Sequence, residues 1–448
     1  MRHDTLLHPD LADSARVLIA KGRLLAEQEP ELYRNATRGR VELTRFFHTE
    51  LGWTLEVLEA ADMIRLHKRR EDVPSARGLR IRREGQDPVP ASRLVLLLSA
   101  LACEQLWRRP RMTLNDLLQS VAQVCAADSE NSLLPRFPVV PGDGVSKQEA
   151  HRNRHSLVDA LRLLQADGTI AVDRSLDQAA GDGGDAVVSA SRDRLTAKFS
   201  SLSPSLLNLA QLPPHRHAQV LATDRITEDD ELPDEQAEPD LTEGPEIRRA
   251  VRSETTRRRF RAMRRLVDDP GADPVADDYL QSSTGRNRAL TVLHALGLVA
   301  TVRRDWWQVS DPSGLGSALG FPHGRRNERQ AALALLRHLS TREPTIDGRE
   351  RVVAIEEIVT LFEQIRENLP RWAAAYGGQL RALAKAAANG LVDAGFLVAE
   401  PAEDVPEPRW RPTPAVRMWR VRLHTAPGAN SEQRTKTPTL FDDPEGTL

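Results

Sequence analysis

Aromatic residues make up only 4% of the 448 residues. A core of stacked rings is therefore excluded, and the interior has to be built from Leu, Val, Ala and Ile, for which leucine-rich helices are the simplest vehicle. Cysteine is nearly missing as well. Cys103 and Cys125 lie apart in Leu/Ala-rich segments, which excludes a disulfide framework and reads as two buried, reduced thiols of an intracellular protein. Lysine supplies only six of the 62 basic residues, a bias that reads as a GC-rich genome. The longest apolar run, Leu94 to Cys103, falls short of the roughly 20 residues that a membrane-spanning helix needs. Met1 to Asp13 carries His, Asp and Pro and no apolar signal stretch. The expectation is a soluble, cytoplasmic protein with no membrane contact. Neither sign of charge is in excess, with 62 Lys and Arg against 64 Asp and Glu. A polycation that coats nucleic acid is excluded, and any such contact must come from a local patch.

The signatures of catalysis are missing too. There is no G-x-x-x-x-G-K-[ST] phosphate cradle, no G-x-S-x-G elbow, no Cys/His zinc spacing and no carboxylate cluster suited to metal-dependent nuclease chemistry. The glycines of 181–185 precede a short strand and not a helix, so they read as a turn. His151 and His155 fall at i, i+4 without a third ligand in sight and read as a polar helix face. His215 and His217 follow two prolines and read as loop. The chain is expected to be non-enzymatic, with no catalytic, cofactor or metal residue to assign.

What remains is architecture. The length points to about two to four domains. The clearest boundary is central. Glu228 to Glu246 holds ten acidic residues, three prolines and no Lys or Arg, and Arg248 to Arg265 follows with nine arginines and a single acid, Glu254. An acidic linker that neutralises an exposed helix and a regulated basic surface both fit that juxtaposition. Gly and Pro mark further loops at 136–144, 179–185, 311–324 and 401–414. The end, 425–448, reads as a disordered tail in which Leu440 and Phe441 could form a docking peptide.

One local grammar recurs: a leucine-spaced helix stops at a glycine, and a β-branched strand begins at once. Arg154 to Ala166 stops at Gly168 before TIAVDR, with AVVSAS as the return strand. Arg288 to Leu296 runs into Gly297 before LVATVRR, and WWQVS returns. Gln379 to Ala394 stops at Gly395 before FLVAEP, and AVRMWRVRL returns after a Pro-rich excursion. A looser case places Arg40 to Leu51 and Gly52 before WTLEVL and MIRLHKRR. Two further helices precede each of the first three hairpins. Helix, helix, helix and a two-stranded wing is the winged-helix pattern. The fold class expected is mainly α with small β-hairpins, α+β in type, as tandem winged-helix domains. The divisions are 1–90 (helical and hairpin, winged-helix-like), 91–215 (winged helix), 216–247 (acidic linker), 248–315 (winged helix), 325–424 (winged helix) and the tail.

Winged helices touch nucleic acid with the third helix and the wing. The candidate DNA contacts are Lys147, Arg152 and Arg154 at the start of one third helix, Arg286 and Arg288 with Asn287 at the start of another, and Arg303 and Arg304 in its wing beside Trp306 and Trp307. Arg417, Arg420 and Arg422 share one face of an expected strand and read as solvated charges, with Trp419 opposite. For Arg303 and Arg304 both readings stand. The third helices are Leu/Ala-rich beyond their first turn, so base reading is not supported and contact to the DNA backbone is expected.

The order of segments, including RGRVELTRFFHTELGWTLEVLEAADMIRLHKR, RLVLLLSALACEQLW, RHSLVDALRLLQADGTIAVDR, LTVLHALGLVATVRRDWWQVS and GLVDAGFLVAEP, resembles a bacterial family encoded beside a condensin-like SMC ATPase in Wadjet-type plasmid-defence systems. The likeness covers roughly residues 10 to 424. It implies a MukE-like, tandem winged-helix (KITE) subunit that binds a kleisin-like subunit, forms a homodimer and helps the SMC ATPase hold DNA, while a separate TOPRIM-domain nuclease subunit cuts small circular DNA. Such a protein would be nucleoid-associated. A stand-alone winged-helix transcriptional regulator is the alternative, and an enzyme with an unrecognised site a more distant one.

Overall fold

The computed structural model describes residues 6–68, 70, 78–83, 88–128, 134–142, 144–181, 184–200, 245–317, 319, 321–322, 326–342, 350–370, 372–400 and 407–421. The acidic stretch 228–244, His215, His217, Arg422, Leu440 and Phe441 lie outside them. The protein is mainly α-helical with small antiparallel sheets.

Four units follow the same order of elements. The first comprises α1 (Pro9–Lys21), β1 (Arg23–Leu25), α2 (Pro30–Arg38), α3 (Arg40–Leu51), β2 (Thr54–Leu58) and β3 (Met63–His67). A short hairpin, β4 (Arg80–Ile81) and β5 (Val89–Pro90), leads to the second unit. That unit has α4 (Arg93–Arg108), β6 (Arg111–Thr113), α5 (Leu114–Ala127), α6 (Lys147–Ala166), β7 (Ile170–Val172), α7 (Leu176–Ala180) and β8 (Val187–Ala190), with α8 (Arg192–Ser200) after it. The third comprises α9 (Pro245–Asp268), β9 (Gly271–Ala272), α10 (Asp278–Gln281), α11 (Ser283–Ala295), β10 (Val299–Val302) and β11 (Trp307–Ser310). The fourth comprises α12 (Asn327–Thr341), β12 (Val353–Ala354), α13 (Ile355–Asn368), α14 (Leu380–Asp393), β13 (Leu397–Ala399) and β14 (Arg409–Pro412).

In every unit the strand between the first two helices pairs with the last strand, which also pairs with the one before it. The sheets run β1-β3-β2, β6-β8-β7, β9-β11-β10 and β12-β14-β13. The sheet is thus three-stranded where the sequence pointed to a two-stranded wing. The added strands are two or three residues long, too short to show an alternating pattern, and they gain their place from an already formed hairpin. Hydroxyl caps fix the helix starts: Ser92, Thr113, Ser146 and Ser282 each accept the amide three residues on, satisfying a donor that a helix start leaves open.

One strand assignment changes. Residues 415–421 of AVRMWRVRL do not return as a strand in the fourth unit; β14 lies within the Pro-rich stretch instead, pairing Val398 with Arg411 and Ala399 with Trp410. Trp410 is buried and fixes that register. Pro414–Arg417 forms a 3-10 turn in which consecutive Ala415 and Val416 are both buried, a pattern that a strand cannot provide.

The first and third units do not have separate cores. Leu18, Leu43, Phe47 and Trp53 pack in one cluster with Met263, Leu266, Val292 and Trp307. The second unit has its own core, which Ile81 joins from β4, and the fourth has another. Smaller contacts tie these bodies together. Leu25, Ala61 and Met63 meet Ala197 of α8, and Trp306 leaves its own sheet to sit in the core of the fourth unit. Among the described residues, no helix is long and apolar enough to cross a membrane.

Candidate nucleic-acid interface

The third helices of the four units are α3, α6, α11 and α14. Each is anchored by a leucine or alanine face, which leaves the opposite face for a ligand only if nothing else covers it. That condition separates them. In α6 the outward residues Val158, Asp159 and Arg162 are buried. Arg83, from the segment after β4, binds Asp159 through Nε at 3.1 Å and Nη2 at 2.5 Å, and Arg162 reaches Asp177 of α7 at 2.5 Å. The first turns of α6 stay open, where Lys147, Gln148, His151 and Arg152 are exposed. On α11 the exposed stripe runs further, through Arg286, Asn287, Leu290, Thr291 and His294. On α3 it comprises Arg40, Val41, Thr44, Arg45 and His48.

The seven candidate arginines and lysine divide accordingly. Lys147, Arg152, Arg286 and Arg304 are exposed and have no ion-pair partner among the described residues. Arg303 pairs with its near neighbour Asp305 at 3.0 and 3.2 Å, an exposed contact that a phosphate can displace because such pairs are worth little in water. Arg154 and Arg288 are not open. Arg154 donates to Asn115 Oδ1 at 2.8 Å, to the Ala179 carbonyl at 2.9 Å and to the Gly184 carbonyl, bracing α5 and the wing of its unit. Arg288 donates Nε to Glu50 at 2.9 Å and a second bond to the same carboxylate. Glu50 is buried, so this pair is a structural tie between the first and third units. Arg154 thus bonds within the fold through three of its five donors and Arg288 through two, which leaves both less available to a phosphate than the exposed cations.

The tryptophans of the β10–β11 hairpin cover cores, as one reading of the sequence has it. Trp307 is 1% exposed and Trp306 8% exposed, so both rings serve cores and neither is a stacking surface. In the fourth unit Arg417 binds Glu350 through Nε at 2.7 Å and Nη2 at 3.1 Å, a tie between the 3-10 turn and the segment before β12, and Arg381 of α14 is shared between Glu356 and Glu407. Elsewhere in the fourth unit Arg337, Arg351, Lys385, Arg409 and Arg420 are exposed.

The Arg-rich helix α9 is used largely by the fold over its second half. Arg259 donates to the Thr49 carbonyl at 3.2 Å, and Arg264 donates to the carbonyls of Leu51 at 2.7 Å and Gly52 at 3.1 Å. Arg258 binds Glu254 at 3.0 Å and Asp278 at 2.8 Å. Arg265 lies 3.6 Å from Asp277, a fully buried carboxylate whose pKa burial raises. Sequence reasoning did not assign the open cations of the first unit, Arg38 and Arg45, because its hairpin looked looser than the others. The signal was Arg45 sitting four residues after exposed Val41 on the same helix face.

The histidines behave as a pair on the open end of α6. Their Nε2 atoms are 3.1 Å apart, and burial together with His151 lowers the pKa of His155. Among the described residues no three His, Cys, Asp or Glu side chains group as metal ligands.

A family model described as "Protein of unknown function (DUF2398)" matches residues 15–422, and the chain belongs to that family. No curated protein matches the chain.

Proposed function

We propose that this DUF2398 protein is a non-catalytic, MukE-like winged-helix subunit of a bacterial SMC complex. It binds a kleisin-like subunit, works beside the SMC ATPase and a TOPRIM-type nuclease subunit in defence against plasmids, and holds DNA by its backbone near the nucleoid. The observation that carries the reading is the fourfold recurrence of helix, strand, helix, helix, strand, strand, with the first strand paired to the last. This order supports a winged-helix reading, in which a three-stranded sheet closes one end of a helical trio. A tandem array of such units supports a platform for partner chains and DNA better than a single recognition module does.

The open cations support backbone contact and not base reading. Lys147 and Arg152 flank the start of α6, Arg286 lies in the first turns of α11, and Arg304 sits at the wing tip. A helix start also offers unsatisfied amides and a positive dipole end to a phosphate. Four scattered cations on a chain with a formal net charge of -2 suit a protein whose affinity is completed by its partners.

The test is duplex binding by the assembled complex on two DNAs of unrelated sequence, over a salt series. Equal affinities for the two are expected. Arg303→Glu with Arg304→Glu is expected to weaken binding and flatten the logarithmic salt slope by about 2, since each lost phosphate contact removes about 0.9. A strong preference for one sequence would instead indicate a stand-alone transcriptional regulator, and unchanged affinity and slope would exclude this wing from the interface.

A further inference from the structure

The first and third units touch each other through equivalent positions. Arg23 of β1 lies opposite Arg65, and Gly271 of β9 lies opposite Gln308, at the same place in the two sheets. Seven residues ahead of those positions stand Arg16 on α1 and Arg264 on α9. Arg264 donates to the carbonyls of Leu51 and Gly52, where α3 ends. Arg16 donates at 3.3 Å to the carbonyl of Gly297, where α11 ends. The first helix of each unit therefore caps the third helix of the other.

The two glycines complete the match. Gly52 and Gly297 both take left-handed backbone, with φ of 58° and 66°. A Cβ on Gly52 would lie 2.7 Å from Arg264 Nη2, and one on Gly297 would lie 2.6 Å from Arg16 Nη1. Each arginine thus fills the space that a side chain would take.

A second pair of contacts joins the same elements, although not at matched residues, since Asp268 corresponds to Ala20 and not to Arg16. The residue directly after β3 is Lys68, which binds Asp268 near the end of α9, and Arg70 binds Asp269 at 2.8 and 2.9 Å. The residue directly after β11 is Asp311, which lies 3.6 Å from Arg16 of α1. So the exit of each wing pairs with the first helix of the other unit. The apolar side chains between these contacts form one cluster.

Contact of residue i with j, and of j's counterpart with i's counterpart, defines an interface between two copies across a two-fold axis. Here both copies lie in one chain. We infer that the first and third units are an internal two-fold pair, and that the face which two separate chains would use to pair is already filled within each molecule. The protein enters an assembly as a single copy through this face, and the pairing that the family resemblance implies between two chains is met inside one. This inference rests on the repeated topology and not on the SMC reading, so either can fail alone.

The experiment uses the full-length chain with a protease recognition sequence placed within 228–240, cut after folding and run on size exclusion with light scattering. The uncut protein is expected at the mass of one chain, 49.8 kDa, and the cut protein at the same mass, with both fragments in one peak. Cut protein carrying Arg16→Glu and Arg264→Glu is expected to separate into its two fragments. Should that variant fail to fold, Arg16→Lys and Arg264→Lys are tested singly, with dissociation of the fragments increased to a similar degree by each. An uncut dimer that Arg16→Glu breaks, wild-type fragments that part, a folded double variant whose fragments hold together like wild type, or one lysine variant acting tenfold more strongly than the other would each overturn the inference.

Discussion

Arg288→Ala and Glu50→Ala remove the two halves of one ion pair, and the structure makes their costs unequal. Glu50 is 2% exposed, and its carboxylate accepts two bonds from Arg288. Deleting Arg288 strands a buried negative charge between α3 and α11, a change that costs about 3–5 kcal/mol. Deleting Glu50 leaves a guanidinium whose side chain is 36% exposed and can turn to water, so the loss is limited to the net value of charge-assisted bonds, about 1.5–3 kcal/mol. The assay is urea unfolding followed by tryptophan fluorescence, since Trp53 and Trp307 sit in the shared core, with the midpoint of the first transition as the readout. The order expected is wild type, Glu50→Ala, then Arg288→Ala as the least stable. DNA binding by the folded Arg288→Ala protein should keep the wild-type salt slope. Equal costs for the two variants, or a flattened slope for Arg288→Ala, would refute the structural role of this pair.

Other outcomes follow from the same contacts. Trp306→Ala empties a site in the core of the fourth unit and should cost about 3–5 kcal/mol; its test is limited proteolysis, with cleavage between the third and fourth units appearing earlier than in wild type. Cys103 is buried with its thiol pushed up to about 11, and burial raises Cys125 too, so a thiol reagent at pH 8 should label neither in the folded protein and both in urea. His155 has a pKa lowered by burial and by His151. The unfolded chain then takes up its proton first as pH falls, so stability present above its ordinary value near 6.5 declines toward the lower folded value; His155→Gln should flatten that decline between pH 7 and 5 in urea midpoints. Arg154→Ala removes three bonds that join α5, α7 and Gly184 and should lower stability by more than Arg152→Ala, which has no such bonds.

Much of the helical plan was legible because leucine spacing and glycine stops are local signals. Gly52, Gly168, Gly297 and Gly395 each end a third helix in left-handed backbone, and the stops named from sequence are the stops observed. The short first strands were not legible, because Gly271–Ala272 and Val353–Ala354 carry no period of their own. The bonds of Arg154 and Arg288 within the fold were hidden for a related reason: nothing in their neighbourhood announces a partner that is distant in sequence, such as Glu50 for Arg288. Trp306 and Trp307 look alike in sequence yet enter different cores, a distinction that only tertiary packing makes. The fusion of the first and third cores was equally hidden, since it joins segments on either side of the acidic stretch.

The measurement that tests the proposed role most directly is affinity purification of the tagged chain from cells that also express its neighbouring genes. A stoichiometric complex with a long coiled-coil ATPase and a kleisin-like subunit is the result expected. Recovery of the chain alone, under salt conditions in which those proteins are themselves soluble and intact, would contradict it.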